Sequence, residues 1–142
     1  MKLKVTEHWD MSYNRPGNDP ESIIEYGIEL ENKGPQWITE ENVAQLKKDP
    51  GFRKLLEKNG YECSPATGQY LMENPMIAVV DKDKRIVFSV DYYGLTITHH
   101  KDHRDGADQI TRLLLGESLI EADERYIAKS LKIAGLTLPN SD

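Results

Sequence analysis

Residues 76–90 read MIAVV-DKDKR-IVFSV, two apolar runs separated by a charged break. Each run is short and rich in β-branched residues, so each reads as a strand, and the break reads as the turn between them. Neither run alternates apolar with polar residues, which marks both as central strands covered on both faces. The acids of DKDKR do not make a calcium loop, because no Gly follows at the sixth position and no Glu at the twelfth.

Two other stretches do alternate. In residues 3–13, Leu3, Val5, Trp9, Met11 and Tyr13 fall on one side and Lys4, Thr6, His8, Asp10 and Ser12 on the other, with Glu7 out of place among the apolar set. In residues 24–31, Ile24, Tyr26, Ile28 and Leu30 alternate with Glu25, Glu29 and Glu31. The loop NRPGNDPE between them favours an antiparallel hairpin. Pairing Trp9 with Tyr26 and Val5 with Leu30 sets apolar against apolar and Lys4 against Glu31. The same register puts Asp10 opposite Glu25, a like-charge pair that costs stability.

Helical signals occupy two regions. Thr39 is a candidate N-cap, with Ile38 and Val43 at the positions of a hydrophobic staple. Asp49-Pro50 restarts a helix whose stripe is Phe52, Leu55 and Leu56, and Asn59-Gly60 supplies a left-handed stop. Residues 61–75 have weak periodicity and read as irregular. After Gly94, a third strand is expected from Leu95, Ile97 and His99. Asp105 is then a candidate cap for a helix carrying Ile110, Leu113 and Leu114 and stopping at Gly116. Ser118 to Glu121 forms a capping-box pattern that starts a last helix, with Ile120, Ile127, Leu131 and Ala134 on one face and Gly135 at its end.

The order is β-β-α-α-β-β-β-α-α. This predicts an α+β fold, an antiparallel sheet of about five strands with helices packed on one face, spanning 1–142 as a single domain. A chain of 142 residues is long enough for one core. Its single cysteine, Cys63, excludes an internal disulfide and a multi-cysteine zinc site within one chain. No apolar run approaches the roughly 20 residues of a membrane span, and the start of the chain lacks a signal-peptide pattern. A cytoplasmic protein is therefore expected.

The net charge is −6, and from Asp19 to Glu31 acids occur with no base among them. Such a surface repels phosphates and attracts cations, so a direct nucleic-acid role is disfavoured. The expected partner is a basic protein, met by Asp10, Glu25, Glu29 and Glu31. The chain then reads as a small acidic inhibitor or immunity-type protein that occludes a toxin nuclease or nucleic-acid-binding factor. A homo-oligomer is compatible with this reading.

Two alternatives centre on THHKDHRDGAD, residues 98–108. Tyr92 and Tyr93 could stack on a nucleotide-like ligand whose phosphate meets His99, Lys101, His103 and Arg104. The same histidines could serve a metal-dependent hydrolase. Their spacing lacks the H-E-x-x-H pattern, and His99 to Asp105 falls one residue short of the H-x-K-x4-D of phospholipase-D-like enzymes. A solvated bend between strand and helix is the expectation, with no metal, no cofactor and no catalytic residue assigned. No Walker loop, G-x-G-x-x-G or G-x-S-x-G occurs, and Cys63 reads as a quiet thiol.

Overall fold

The computed structural model describes residues 3–11, 23–30, 38–63, 75–133 and 135. In chain order the elements are β1 (Leu3–Met11), β2 (Ile23–Leu30), α1 (Glu40–Lys48), α2 (Pro50–Asn59), β3 (Glu62–Cys63), β4 (Ile77–Val80), β5 (Ile86–Val90) and β6 (Thr96–His100). A single 3-10 turn (Lys101–His103), α3 (Arg104–Leu115) and α4 (Leu119–Ile133) complete the order. The strands form one antiparallel sheet in the order β1-β2-β6-β5-β4-β3. This is the expected α+β architecture, with the two-residue β3 added inside the stretch read as irregular.

Strands β4 and β5 are buried at every position. That is what two apolar runs without alternation require, and they form the middle of the core with Tyr26, Phe52, Ile97 and Ile110. The break between them is a turn in which Lys84 takes a positive φ of 65°. Helix α3 lies over β5. A Cβ on Gly106 would come within 3.2 Å of Val87 Cγ1, so the helix meets the sheet on the Val87 side.

The N-terminal hairpin pairs in a different register from the one expected. Leu3 faces Leu30, Lys4 faces Glu29 and Val5 faces Ile28. After an irregularity between Val5 and Glu7, the pairs become His8 with Tyr26, Trp9 with Glu25 and Asp10 with Ile24. The extra residue in β1 lets the strand keep apolar pairs near Leu3 and then reverses its parity, as a bulge does. Glu7, the one misfit in the alternation, lies at this irregularity. Asp10 does not face Glu25, and the like-charge pair expected there is absent.

The helix caps follow local chemistry. Thr39 Oγ1 accepts from the Asn42 amide at 3.1 Å, and Asn42 Oδ1 accepts from the Thr39 amide at 3.0 Å. Ile38 and Val43, the staple pair, are both buried. Thr39→Ala removes one half of this reciprocal cap and is expected to lower stability by about 1 kcal/mol in a denaturant titration. Asp49 caps α2 through a 2.7 Å bond from the Gly51 amide, with Pro50 in the first position.

The start of α3 differs from expectation. The helix begins at Arg104, its N-cap His103 makes no side-chain cap bond, and Asp105 sits in the first turn. Among the described side chains of α4 the buried ones are Leu119, Ala122 and Asp123, while Ile127 is 40% exposed. That face includes a charged residue, because Asp123 receives Arg104 at 2.9 Å; an apolar-only stripe therefore points one position away. Leu113 and Leu95 are likewise exposed rather than inward. Ala134 lies outside the described residues. Asp108 joins α3 to α4, accepting from Ser118 Oγ at 2.7 Å and from the Ile120 amide at 3.0 Å, with Arg112 on its other oxygen. Burial alone would raise the Asp108 pKa, but these bonds outweigh it and hold it below the ordinary value.

Candidate functional site

The histidine stretch folds into a strand end, a 3-10 turn and a helix start, and its members separate. Because β6 lies between β2 and β5, His99 is fully buried and stacks on Tyr26 at 5.6 Å with 22° between the rings. Its Nδ1 lies 2.8 Å from the His100 carbonyl oxygen and is therefore the donor. His100 is also buried, and its Nδ1 accepts the Asp102 amide at 3.1 Å. Burial lowers the His100 pKa. A ring that accepts at Nδ1 is neutral, so its 3.6 Å approach to the Asp102 carboxylate is not an ion pair. These two histidines are not a solvated bend: both are buried, paired with Ile24 and Ile23 of β2.

His103 meets residues from two other elements. Its Nε2 donates to Asp81 Oδ2 at 2.7 Å, and its Nδ1 lies 3.4 Å from the Tyr61 hydroxyl, which donates to it. The Tyr61 and His103 rings meet edge to face. Burial first, and then the charge of Asp81, raises the Tyr61 pKa, so the phenol stays a donor at neutral pH. Gly106 permits this packing, since a Cβ there would fall 3.1 Å from the Tyr61 oxygen.

Asp81 is the hub of the cluster. Its Oδ1 accepts the Asp83 and Arg85 amides at 2.8 and 2.9 Å, and its Oδ2 accepts Arg85 Nε at 2.8 Å beside His103. Burial would push its pKa up, but the His103 and Arg85 bonds outweigh that and hold it at about 2. Arg85 continues to Asp102 Oδ2 at 3.1 Å. The carboxylate orients an imidazole that in turn orders a phenol. All bonding positions of the imidazole are taken and its side chain is only 12% exposed, so the array clamps the β4–β5 turn to the start of α3. Among the described residues, no three His, Cys, Asp or Glu side chains are grouped to share a metal ion.

The residues considered for a nucleotide-like ligand stand at opposite ends of β6. Tyr92 and Tyr93 are exposed in the turn before it, and Lys101 is exposed after it. The strand between them, Thr96–His100, spans roughly 13 Å at the usual rise. Arg104 is engaged by Asp123, and His99 faces Tyr26. The fold does not bring this set together.

Of the expected partner-binding acids, Asp10 and Glu29 are placed by strand register alone, and Glu31 lies outside the described residues. Glu25 is half-buried, directly opposite Thr98 of β6, which is opposite Ser89 of β5. Val87 is the extra residue at the irregularity between Ile86 and Phe88, and Glu25 falls on the Ala78–Ser89–Thr98 face of the sheet, opposite the one that carries Phe88, Val90, Ile97 and Tyr26. The Ser89 and Thr98 hydroxyls are buried without a hydrogen-bond partner. Burial, and then the nearby Asp91 carboxylate, raises the Glu25 pKa. Sequence reasoning missed Ser89, Thr98 and Asp91, although two hydroxyls in otherwise apolar strands were the available signal. Cys63 is half-buried, and burial raises its pKa, in keeping with a quiet thiol.

No protein-family model, no curated protein and no solved structure matches this chain. No helix among the described residues is long and apolar enough to cross a membrane.

Proposed function

We propose that the chain is a small acidic inhibitor or immunity-type protein that binds and covers a basic protein partner, such as a nuclease or nucleic-acid-binding factor. The observation that carries this reading is the turn between β5 and β6. Tyr92, Tyr93 and Leu95 are 59%, 68% and 38% exposed, and the two rings meet edge to face at 5.3 Å. Exposed aromatic groups on a rigid frame are the usual anchors of protein interfaces, because little ordering is needed on binding.

The frame here is stiff. Asp91 Oδ1 accepts the Leu95 and Thr96 amides at 2.6 and 2.8 Å, and the Gly94 carbonyl accepts the Ile38 amide at 3.2 Å. A net charge of −6 draws a cationic partner and speeds its association. Asp10, Glu25, Glu29 and Glu31 supply acids within this reading.

The test begins with capture of partners from the host and continues with a binding titration. Tyr92→Ala/Tyr93→Ala is expected to weaken binding by about 2 kcal/mol or more, mainly through faster dissociation. Glu25→Lys/Glu29→Lys is expected to slow association at low salt, with the difference shrinking as salt is raised. A partner that binds the tyrosine and charge-reversal variants as tightly as wild type overturns the proposal.

A further inference from the structure

We infer that Glu25 and Asp91, with the Ser89 and Thr98 hydroxyls behind them and Tyr92 and Tyr93 at the rim, form a pocket for a cationic side chain, a guanidinium or ammonium group, of a basic protein partner. This rests on the reading of the chain as an acidic binding protein and names the place where that binding is centred.

Three polar residues stand side by side across three strands. Ser89 pairs with Thr98, and Thr98 pairs with Glu25. Ser89 is 2% exposed and Thr98 fully buried, yet neither hydroxyl has a partner. Buried hydroxyls are ordinarily bonded, so two orphans facing each other beside a carboxyl are unusual. The Glu25 carboxyl makes no hydrogen bond or ion pair among the described residues. Two residues beyond Ser89, Asp91 has one oxygen fixed by two backbone amides and so holds a carboxylate in place.

All four groups present oxygen, and two of them carry or can carry negative charge. What they lack is a positively charged donor. A guanidinium or ammonium group supplies charge and several N–H donors at once, and relieves the repulsion between Glu25 and Asp91. Once Glu25 is held ionised, the Thr98 hydroxyl, a cross-strand neighbour, can turn its O–H toward the carboxylate. Tyr92 and Tyr93 follow Asp91 directly, and their faces suit a cation approaching from solvent.

The test uses the full chain and a short oligo-arginine peptide, with binding read by fluorescence anisotropy at low salt. Glu25→Gln is expected to weaken binding about tenfold or more, equivalent to about 1.4 kcal/mol. Tyr92→Ala/Tyr93→Ala should also weaken it, whereas Glu57→Gln, on the exposed side of α2, should leave it unchanged. Circular dichroism verifies that each variant is folded. If wild type fails to bind the peptide at all, both the pocket and the acidic-binder reading fall. If wild type binds but Glu25→Gln binds equally well, or Glu57→Gln loses as much, attraction is diffuse and the pocket alone is overturned. Displacement of the peptide by calcium chloride at matched ionic strength, lost in Glu25→Gln, would make this a metal site and overturn the assignment.

Discussion

Gly94→Ala is expected to destabilise the protein by about 4 kcal/mol or more, the range reached only by severe core defects. A Cβ at this position would lie 1.9 Å from the Ile38 carbonyl oxygen, and the residue has a φ of +72°. The obstacle is backbone, which cannot turn aside as a side-chain end can. Relief requires the segment before α1 to move away from the β5–β6 turn, and the bond from the Ile38 amide is then lost. Gly116→Ala is the informative companion. Its φ is +73°, but nothing lies within 4 Å of the added methyl. It should cost only about 1–2 kcal/mol, the penalty of the left-handed conformation alone. Equilibrium urea unfolding of both variants checks the contrast; equal losses would mean that conformation, not collision, decides the Gly94 effect.

Asp81→Ala is expected to cost about 3–5 kcal/mol, as removal of one partner from a buried ionic cluster does. Four bonds disappear, and His103 and the Arg85 amide lose their acceptor. The pH dependence has a definite sign. Because the Asp81 pKa is lowered from 3.8 to about 2, its contribution is present above about pH 4 and is lost as pH falls toward 2. That difference amounts to about 2 kcal/mol. Wild type should therefore lose stability across this window more steeply than Asp81→Ala. The slope will not vanish in the variant, because Asp108 also has a lowered pKa and titrates with the same sign. Unfolding free energies measured at several acidic pH values decide the matter, and parallel slopes would contradict the role given to Asp81.

The order of elements and most caps were legible because they are written in local chemistry. Thr39, Asp49, Gly60, Gly116 and Ser118 each act within a few residues of themselves. The hairpin register was not, because several pairings match apolar to apolar and the irregularity before Glu7 leaves only one misplaced residue as its trace. The histidines show a different limit. His99 and His100 look polar in sequence, and only the insertion of β6 between β2 and β5 makes them interior residues. Glu25 stood out in the sequence as an acid on an alternating strand, but its surroundings did not. Thr98 and Ser89 meet it through pairings that no local pattern encodes.

The sheet order has a consequence for the way the chain assembles. From β4 to β6 each strand pairs with its successor across a short turn, so that part of the sheet can zip up locally. The joint between β2 and β6 is different, since it brings Tyr26 to Ile97 across half of the chain. Closing so long a loop is entropically late and slow. The N-terminal hairpin is thus expected to dock last, and until it does, β6 would be a bare sheet edge open to the same strand from another molecule. Nascent or partly unfolded protein will be most prone to strand exchange at that edge, and the hairpin serves as its guard.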